Sequence, residues 1–574
     1  MRELALCAAI ASAALAHVVL ARAALARADT KRAAVTCTAA ACAVAILAGC
    51  SHSDGTTGGA AAGGNRFTKP HELRVVLLGD VSNLNELLAT ELQASWLNQL
   101  VMAWLVRYDR NNRPIPELAT TVPTVENGGI SGDGKTITYD LRRNVVWSDG
   151  KPFTADDVAF TVKLINDPKT NVISRLGWDD IVKVDEPNPH RIVFHLKSPF
   201  SPFVAQAFAS GGGSPPILPK HLLFHTANIN TDPYNALPVG IGPFKFVRWL
   251  RGDRIEMAAN PAYWRGRPKL DRIVFKIIPN RDTILSELQT GDVDLWPIAP
   301  AAYLSRLQAL PGHRVLRQPS FSFSHLDFNL SHAVLADPAV RRALFLALDR
   351  RALRAKVSHG VGVLQDAILS PRSPYYDAHL GFTEKNVAKA NVLLDGAGWK
   401  RGSDGIRAKN GRPLTIEVVS NTGSPDTDER VELIRQDWLA IGVSFTRRNY
   451  DPNLLLANNG IIFSGKFDVA FFAWFPPGTG DISQLYSCKQ FPPRGQNDSR
   501  WCNPRAEAAM RDFLATNDFA RRKRDNDTLQ RELVRDVPTI VLAVNEDLYA
   551  ENSDLVGFHP NNVSLFDDFM KVDI

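Results

Sequence analysis

The sequence predicts an α/β protein of two or three subdomains, and three observations carry that expectation. The chain has 574 residues, 45% hydrophobic and 22% charged, an ordinary globular composition with room for several cores. Strand-like alternation and helix-like spacing take turns along it from residue 73 to residue 544. In the stretch 240–296 three strand patterns and one helix pattern follow one another, which reads as a β-rich lobe with a helix laid on it.

The amino end comes first. Lys31 and Arg32, then the apolar run 33–49, make a charged n-region and an h-region too short to span a bilayer comfortably, ending in Leu47-Ala48-Gly49-Cys50. This is a secretion signal. Residues 4–26 form a second apolar stretch, broken by His17 and Arg22, which fits either an upstream start codon wrongly chosen or a transmembrane helix. After Cys50 the run SHSDGTTGGAAAGGN buries too little apolar surface to order itself. It reads as a tether with a root-mean-square span of roughly 25 Å.

The formal charge of +6 includes five basic and two acidic residues in the first 49 positions, leaving +3 for the body. No basic stripe is interleaved with aromatics, so nucleic acid is not an expected partner. The densest basic run, Arg521-Arg522-Lys523-Arg524, has Asp525 and Asp527 beside it and reads as a solvated helix face. Four cysteines, Cys7, Cys37, Cys42 and Cys50, precede the body, which holds Cys488 and Cys502. An oxidising compartment pairs those two across about 15 residues, worth roughly 3 kcal/mol in the chain-entropy model. Two buried free thiols are the alternative.

Residues 73–78 form a first strand, and the segment to Tyr108 looks helical, with Trp96, Leu97, Leu100 and Leu105 at helical spacing. The run 129–136 matches G-x4-G-K-[ST], but Ile137, Tyr139 and Leu141 alternate after it. A phosphate-binding loop must open a helix, so these glycines make a hairpin turn instead. Thr154 with Asp157 is a capping box for the next helix. In the central stretch, Gly240 and Gly242 free a turn that Pro243 ends. Phe244, Phe246 and Trp249 mark a strand, and Arg251-Gly252-Asp253 is a hairpin turn. Residues 272–278 form a third strand, and Asp282 caps a helix that Gly291 ends. Phe321, Phe323, His325, Asp327 and Asn329 share one face of a strand. Asp337-Pro338 starts a helix. Residues 467–474 are a buried strand, and 538–544 a returning one.

Three consecutive motifs, G-x-G-P-[FY]-K-F at 240–246, N-P-x-Y-W-x-G-x-P-x-L-D at 260–271 and L-Q-x-G-x-V-D at 288–294, resemble the peptide-type (family 5) extracytoplasmic solute-binding proteins of ABC importers. Residues 149–158 resemble the family's D-G-x-P-[FL]-x-A-x-D-V run, and 499–504 the second-cysteine region of dipeptide-binding relatives. The likeness covers about residues 71–570. It implies a two-lobed periplasmic-binding-protein fold, with an extra subdomain in the first lobe, two crossover strands and a ligand cleft between the lobes. The expected domains are a signal region at 1–49; a tether at 50–70 that starts with a lipidated Cys50, because Leu47-Ala48-Gly49-Cys50 resembles a bacterial lipobox; lobe I at 71–318 and 541–574 with a subdomain at about 110–235; and lobe II at 319–540.

The resemblance also implies the function: a lipid-anchored, periplasmic or extracytoplasmic monomer that captures peptides or a related small solute and delivers it to membrane permease subunits. Neither catalysis nor a cofactor or metal is expected, since no H-E-x-x-H, G-x-S-x-G or Cys/His cluster with metal spacing is present. By analogy with relatives that pair an extended ligand with a strand end, the candidate contacts are Ala473, Trp474 and Phe475. His325 on the crossover strand and Asp481 as a cation partner complete the set. Each has a plainer reading: Trp474 as core, His325 as a satisfied strand histidine, Asp481 as a turn residue. The family's amine-binding aspartate after the strand and its carboxylate-binding arginine before residue 430 are missing. An unpaired buried charge is costly, so a non-peptide ligand (glycoside, metal chelate or cationic metabolite) stands as an alternative, as does a non-transporting surface lipoprotein acting as chaperone or sensor.

Overall fold

The computed structural model describes residues 65–574 apart from 90, 173–174, 176, 211–213, 423, 457–459, 477, 479, 517 and 562. The signal region, the lipidation expected at Cys50 and most of the tether lie outside the described residues.

From the amino end, Glu72–Leu77 (β1) and the helix Leu92–Val101 (α1) lead to a short hairpin, Val106–Tyr108 (β2) with Pro114–Pro116 (β3). Thr136–Asp140 (β4), Ile181–Asn188 (β5) and Arg191–Leu196 (β6) make a separate sheet, with Ala155–Asn166 (α2) between β4 and β5. Phe244–Leu250 (β7), Arg254–Ala259 (β8), Arg272–Ile277 (β9), Arg281–Thr290 (α3) and Leu295–Trp296 (β10) follow. His313–Phe328 (β11) runs for 16 residues. Then come Pro338–Ala347 (α4), Arg350–Lys356 (α5), Val387–Gly396 (α6) and a small sheet of Lys400–Arg401 (β12), Arg407–Lys409 (β13) and Arg412–Pro413 (β14). Thr415–Asn421 (β15), Pro425–Ala440 (α7), Ser444–Tyr450 (β16), Val469–Trp474 (β17), Pro504–Leu514 (α8) and Phe519–Asp536 (α9) precede Thr539–Asn552 (β18), which runs for 14 residues.

Local chemistry explains most of these boundaries. Thr154 and Asp157 form the expected capping box at α2, and the strand β4 follows the glycine-rich turn at 129–134 as the alternation required. Asp337 caps α4 through the Ala339 N–H, with Pro338 at the first helical position. Three expectations are corrected. Asn280, not Asp282, caps α3, because its carbonyl accepts the Thr283 N–H. The segment after β1 is helical only over Leu92–Val101 and then turns extended, because β2 pairs with β3. Gly240 and Gly242 are required by close approach: a Cβ at Gly240 would lie 1.9 Å from the Val101 carbonyl oxygen, and one at Gly242 2.5 Å from that of Leu100. The C-terminal end of α1 abuts this turn, and the Gly242 N–H caps it on Val101 O at 2.7 Å.

The largest sheet has ten strands in the order β16-β15-β17-β11-β18-β10-β1-β9-β8-β7. Its middle is a ribbon of two long antiparallel strands, β11 and β18, each continuing through both halves of the sheet. Residues 313–319 of β11 pair with 546–552 of β18 on the side carrying β10. Residues 323–327 pair with 539–544 on the side carrying β17. Between these blocks residues 320–322 stand opposite Asn545 alone, a bulge at the centre of the ribbon. Separate apolar cores flank it. Leu73, Phe275 and Phe566 belong to one half, Leu344, Trp438 and Val469 to the other, and Trp147, Phe194 and Phe208 fill the subdomain that contains the three-stranded sheet. The fold is the two-lobed α/β arrangement with two crossovers.

Candidate functional site

Strand direction locates the site. In one half β1, β9 and β10 are parallel, and Leu295 to Trp296 of β10 runs alongside Glu551 to Ala550, heading for the middle of β18. In the other half β15, β16 and β17 are parallel, and β17 runs from Val469 opposite Phe328 to Trp474 opposite Phe323, heading for the middle of β11. Both sets of carboxyl ends therefore converge on the centre of the ribbon, where open α/β sheets place their ligands.

A cavity of about 180 Å³ lies there. Its floor is the ribbon itself: Ser324 of β11 with Ala543 and Asn545 of β18. Asn545 ties the floor together, its Oδ1 accepting from Ser324 Oγ at 2.9 Å and its Nδ2 donating to Ser322 Oγ at 2.6 Å. The walls are charged. Asp426 and Arg430 project from the first turns of α7, Arg354 from α5, Glu546 from β18, and Ala301 closes the side beyond β10. Glu546 is already engaged, accepting from the Gly362 N–H at 2.7 Å and from Arg317 at 2.5 Å. Arg430 is half-buried, donates to Ser358 Oγ at 2.9 Å and lies 5.4 Å over the Phe471 ring. Burial pushes its guanidinium down, and the Asp426 carboxylate pulls it back up. The arrangement offers a half-buried cation, a second arginine and one carboxylate over a small polar floor.

The residues expected from sequence divide about the ribbon. Ala473 pairs directly with Ser324 and is exposed beside the cavity floor. Trp474 turns to the opposite face, where it stacks on His325 at 6.4 Å between centroids and 15° between planes, and meets Phe472 edge-on at 5.1 Å. Phe475 is 64% exposed at the strand end. His325 has no exposed surface. Its Nε2 lies 3.1 Å from Asp327 Oδ2, and Phe323 and Phe472 enclose the ring, so direct ligand contact by His325 is corrected to a place beneath Trp474. Asp481 accepts the Ser483 N–H at 3.0 Å, a turn-capping role away from the cavity. Cys488 and Cys502 are joined, with Cα atoms 4.8 Å apart. Among the described residues no group of three or more His, Cys, Asp or Glu side chains could hold a metal ion.

Sequence reasoning missed Arg430, Arg354, Ser324 and Asn545. One signal was present in Phe321-Ser322-Phe323-Ser324-His325: His325 was read as a site residue, whereas Ser324, on the other face of the same alternation, lines the cavity.

The chain is similar to known proteins along most of its length. The family model for "Bacterial extracellular solute-binding proteins, family 5 Middle" matches residues 113–492. The oligopeptide-binding protein AppA of Bacillus subtilis (strain 168) is 26% identical over 525 residues, which is 90% of this chain and 94% of AppA. The structure of NikZ from Campylobacter jejuni in complex with Ni(L-His) aligns with a TM-score of 0.69 at 25% identity, covering 88% of this chain and all of that one. HbpA2 from Haemophilus parasuis aligns with a TM-score of 0.76 at 23% identity, over 86% and 98%. The chain belongs to family 5 of the bacterial extracellular solute-binding proteins, the non-catalytic components that capture a solute outside the cytoplasm and deliver it to an ABC importer.

Proposed function

We propose that this protein carries a peptide or another small solute with an accessible carboxylate, bound in the cavity at the centre of the ribbon and gripped by Arg430. The observation that supports this reading is the half-buried guanidinium of Arg430 on a cavity wall whose other fixed carboxylate, Glu546, is already engaged. The missing family arginine thus has a substitute one helical turn into α7. Ala473 and Phe475 border the bound solute, Trp474 and His325 brace the strand end from behind, and Asp426 meets a ligand amine. The relatives' names favour this chemistry, since an oligopeptide and a nickel–histidine complex both carry carboxylates. A chelate with an exposed carboxylate is the second reading, favoured by NikZ.

The expected lobes, 71–318 with 541–574 and 319–540, are supported by the bulge of the ribbon at residues 320–322, while its pairing on β18 favours a change of lobe at Asn545. Cys50 carries the lipid that holds the protein at the membrane beside its permease. Native mass spectrometry of the protein as purified tests the ligand class. A co-purified species bearing a carboxylate is expected, and one with none overturns the reading. Intact mass of the membrane fraction tests the anchor, where an unmodified Cys50 sinks it.

A further inference from the structure

The small sheet of β12, β13 and β14 stands apart from the cavity. β14 leads into β15, whose carboxyl end runs towards the ribbon, so the small sheet lies at the outer pole of the second half. Strands β13 and β14 are joined by the two-residue hairpin Lys409-Asn410-Gly411-Arg412. Asn410 and Gly411 both hold left-handed backbone, φ 53° and 72°, as a type I′ turn requires. The turn needs that Asn-Gly pair. It does not need a cation on either side of it.

Residues 400–413 carry five basic side chains (Lys400, Arg401, Arg407, Lys409 and Arg412) and one acidic one (Asp404), a net +4 where the whole body sums to +3. The register sets like charges opposite one another, Arg401 against Arg407 and Lys409 against Arg412. Such pairs destabilise a hairpin. The first is relieved within the protein: Arg407 is buried against Asp395 at 2.7 Å, and Arg401 donates to Ala440 O at 3.0 Å. The second is not. Among the described residues neither Lys409 nor Arg412 has a hydrogen bond or ion pair, and Asp404 turns back on its own loop to accept the Ile406 N–H at 3.0 Å. Lys400 and Arg412 are exposed.

Apolar groups flank these cations. Arg401 reaches Asn391 Oδ1 at 3.5 Å as well as Ala440 O. Beside those two residues, Val392 of α6 is 69% exposed and Leu439 of α7 is 42% exposed. Cations without partners in the protein, set among exposed aliphatic side chains, suit an anionic lipid surface, where phosphates take the charge and the acyl boundary takes the apolar groups. The opposite pole is where the described chain begins. There the Asn65 N–H donates to Asp554 Oδ2 at 2.7 Å and its side-chain amide to Gly312 O at 3.0 Å, beside the start of β11. The 16 residues of β11 separate the two poles by about 50 Å.

We propose that residues 400–413, with Val392 and Leu439, rest on anionic phospholipid headgroups. The inference takes the Cys50 anchor proposed above as the first point of attachment. The basic patch supplies a second, so that the molecule lies along the membrane instead of hanging from one end. The cavity is at the centre of the ribbon, away from the patch, and its solute is bound as before.

The test is hydrogen–deuterium exchange on the full chain as purified from the membrane fraction, returned to vesicles of phosphatidylcholine alone or mixed with phosphatidylglycerol. Peptides covering 400–413 should exchange about tenfold more slowly on the anionic vesicles, and salt at about 1 M should remove the protection. The triple variant Lys400→Gln, Lys409→Gln, Arg412→Gln should lose it too. Its solute binding should be unchanged and its melting temperature no lower than wild type, since an opposed like-charge pair is gone. Equal exchange on the two kinds of vesicle overturns the proposal; protection on both would mean that a second copy of the chain covers the patch. Protection that survives salt and the variant overturns it as well. A chain held by anionic vesicles alone keeps the patch and refutes the anchor, and a chain held by neither refutes both.

Discussion

Arg430→Met is the substitution that most directly tests the binding chemistry. Methionine keeps an unbranched stem over the Phe471 ring and removes the charge. The free protein then loses the Arg430 to Ser358 hydrogen bond, worth about 1 kcal/mol. It also loses a desolvated charge, so its stability should change by about 1 kcal/mol or less. Binding is a different matter. A ligand carboxylate on a half-buried guanidinium is a charge-assisted hydrogen bond worth about 1.5–3 kcal/mol. Taking about 2 kcal/mol, the Kd should rise about thirtyfold. The assay is calorimetric titration with the solute that native mass spectrometry finds on the purified protein, alongside a thermal melt. Affinity within about twofold of wild type would refute the assignment of Arg430. Tighter binding would mean a cationic ligand, with Asp426 as its anchor.

Trp474→Ala should weaken the same titration with the fold retained, through loss of the brace behind the strand end; unchanged affinity would make Trp474 a core residue only. The Cys488–Cys502 bridge should protect both thiols from labelling in denaturant, and Cys502→Ser should cost roughly 3 kcal/mol in a urea melt. Asp294→Asn leaves Arg74 buried without its charge partner, having lost ionic bonds at 2.7 Å to Nε and Nη2, so a loss of about 3 kcal/mol is expected in the same melt. Burial pushes the Glu86 carboxyl up to about 8, so the folded state holds its proton where the unfolded chain has released it. Stability therefore falls as pH rises from the ordinary carboxylate range towards 8, and Glu86→Gln should flatten that fall in melts taken between about pH 5 and 8.

The sequence made the fold legible where one local interaction decides the outcome. The Thr154–Asp157 box, the Asp337-Pro338 start and the Gly252 hairpin are fixed by neighbours in the chain, and each was read correctly. Asp294 closes the third family motif, and its reason is visible only in space: it accepts from Arg74 of β1 and Asn552 of β18, fastening the crossover to its lobe. Gly240 and Gly242 were read as turn formers, although the carboxyl end of α1, far away in sequence, is what demands them. The basic run at 521–524 was half right. Arg521 and Arg524 are exposed, but Arg522 lies 4.1 Å over Phe513 and 5.4 Å over Tyr375. The helical period fixes which residues share a face, whereas which face meets solvent depends on segments the period does not contain.

The candidate site follows the same logic. Its floor belongs to two crossover strands that lie more than 200 residues apart in the sequence, at Ser324 and Asn545, and its walls to α5 and α7. No window of sequence contains both a floor and a wall. Aromatic residues near the strand ends drew attention because large side chains stand out in a sequence, yet His325 and Trp474 pack against each other on the far face. A ligand bed at the meeting point of two lobes calls for the opposite residues: serine, alanine and asparagine, small enough to leave room and polar enough to be wet when the lobes part. Specificity must then come from the walls, where Arg430, Arg354 and Asp426 can change without disturbing the ribbon beneath them. Under the proposed function, Arg430 at one turn inside α7 takes the part that the resemblance gives to an arginine before that helix, and the ribbon beneath it is unaffected.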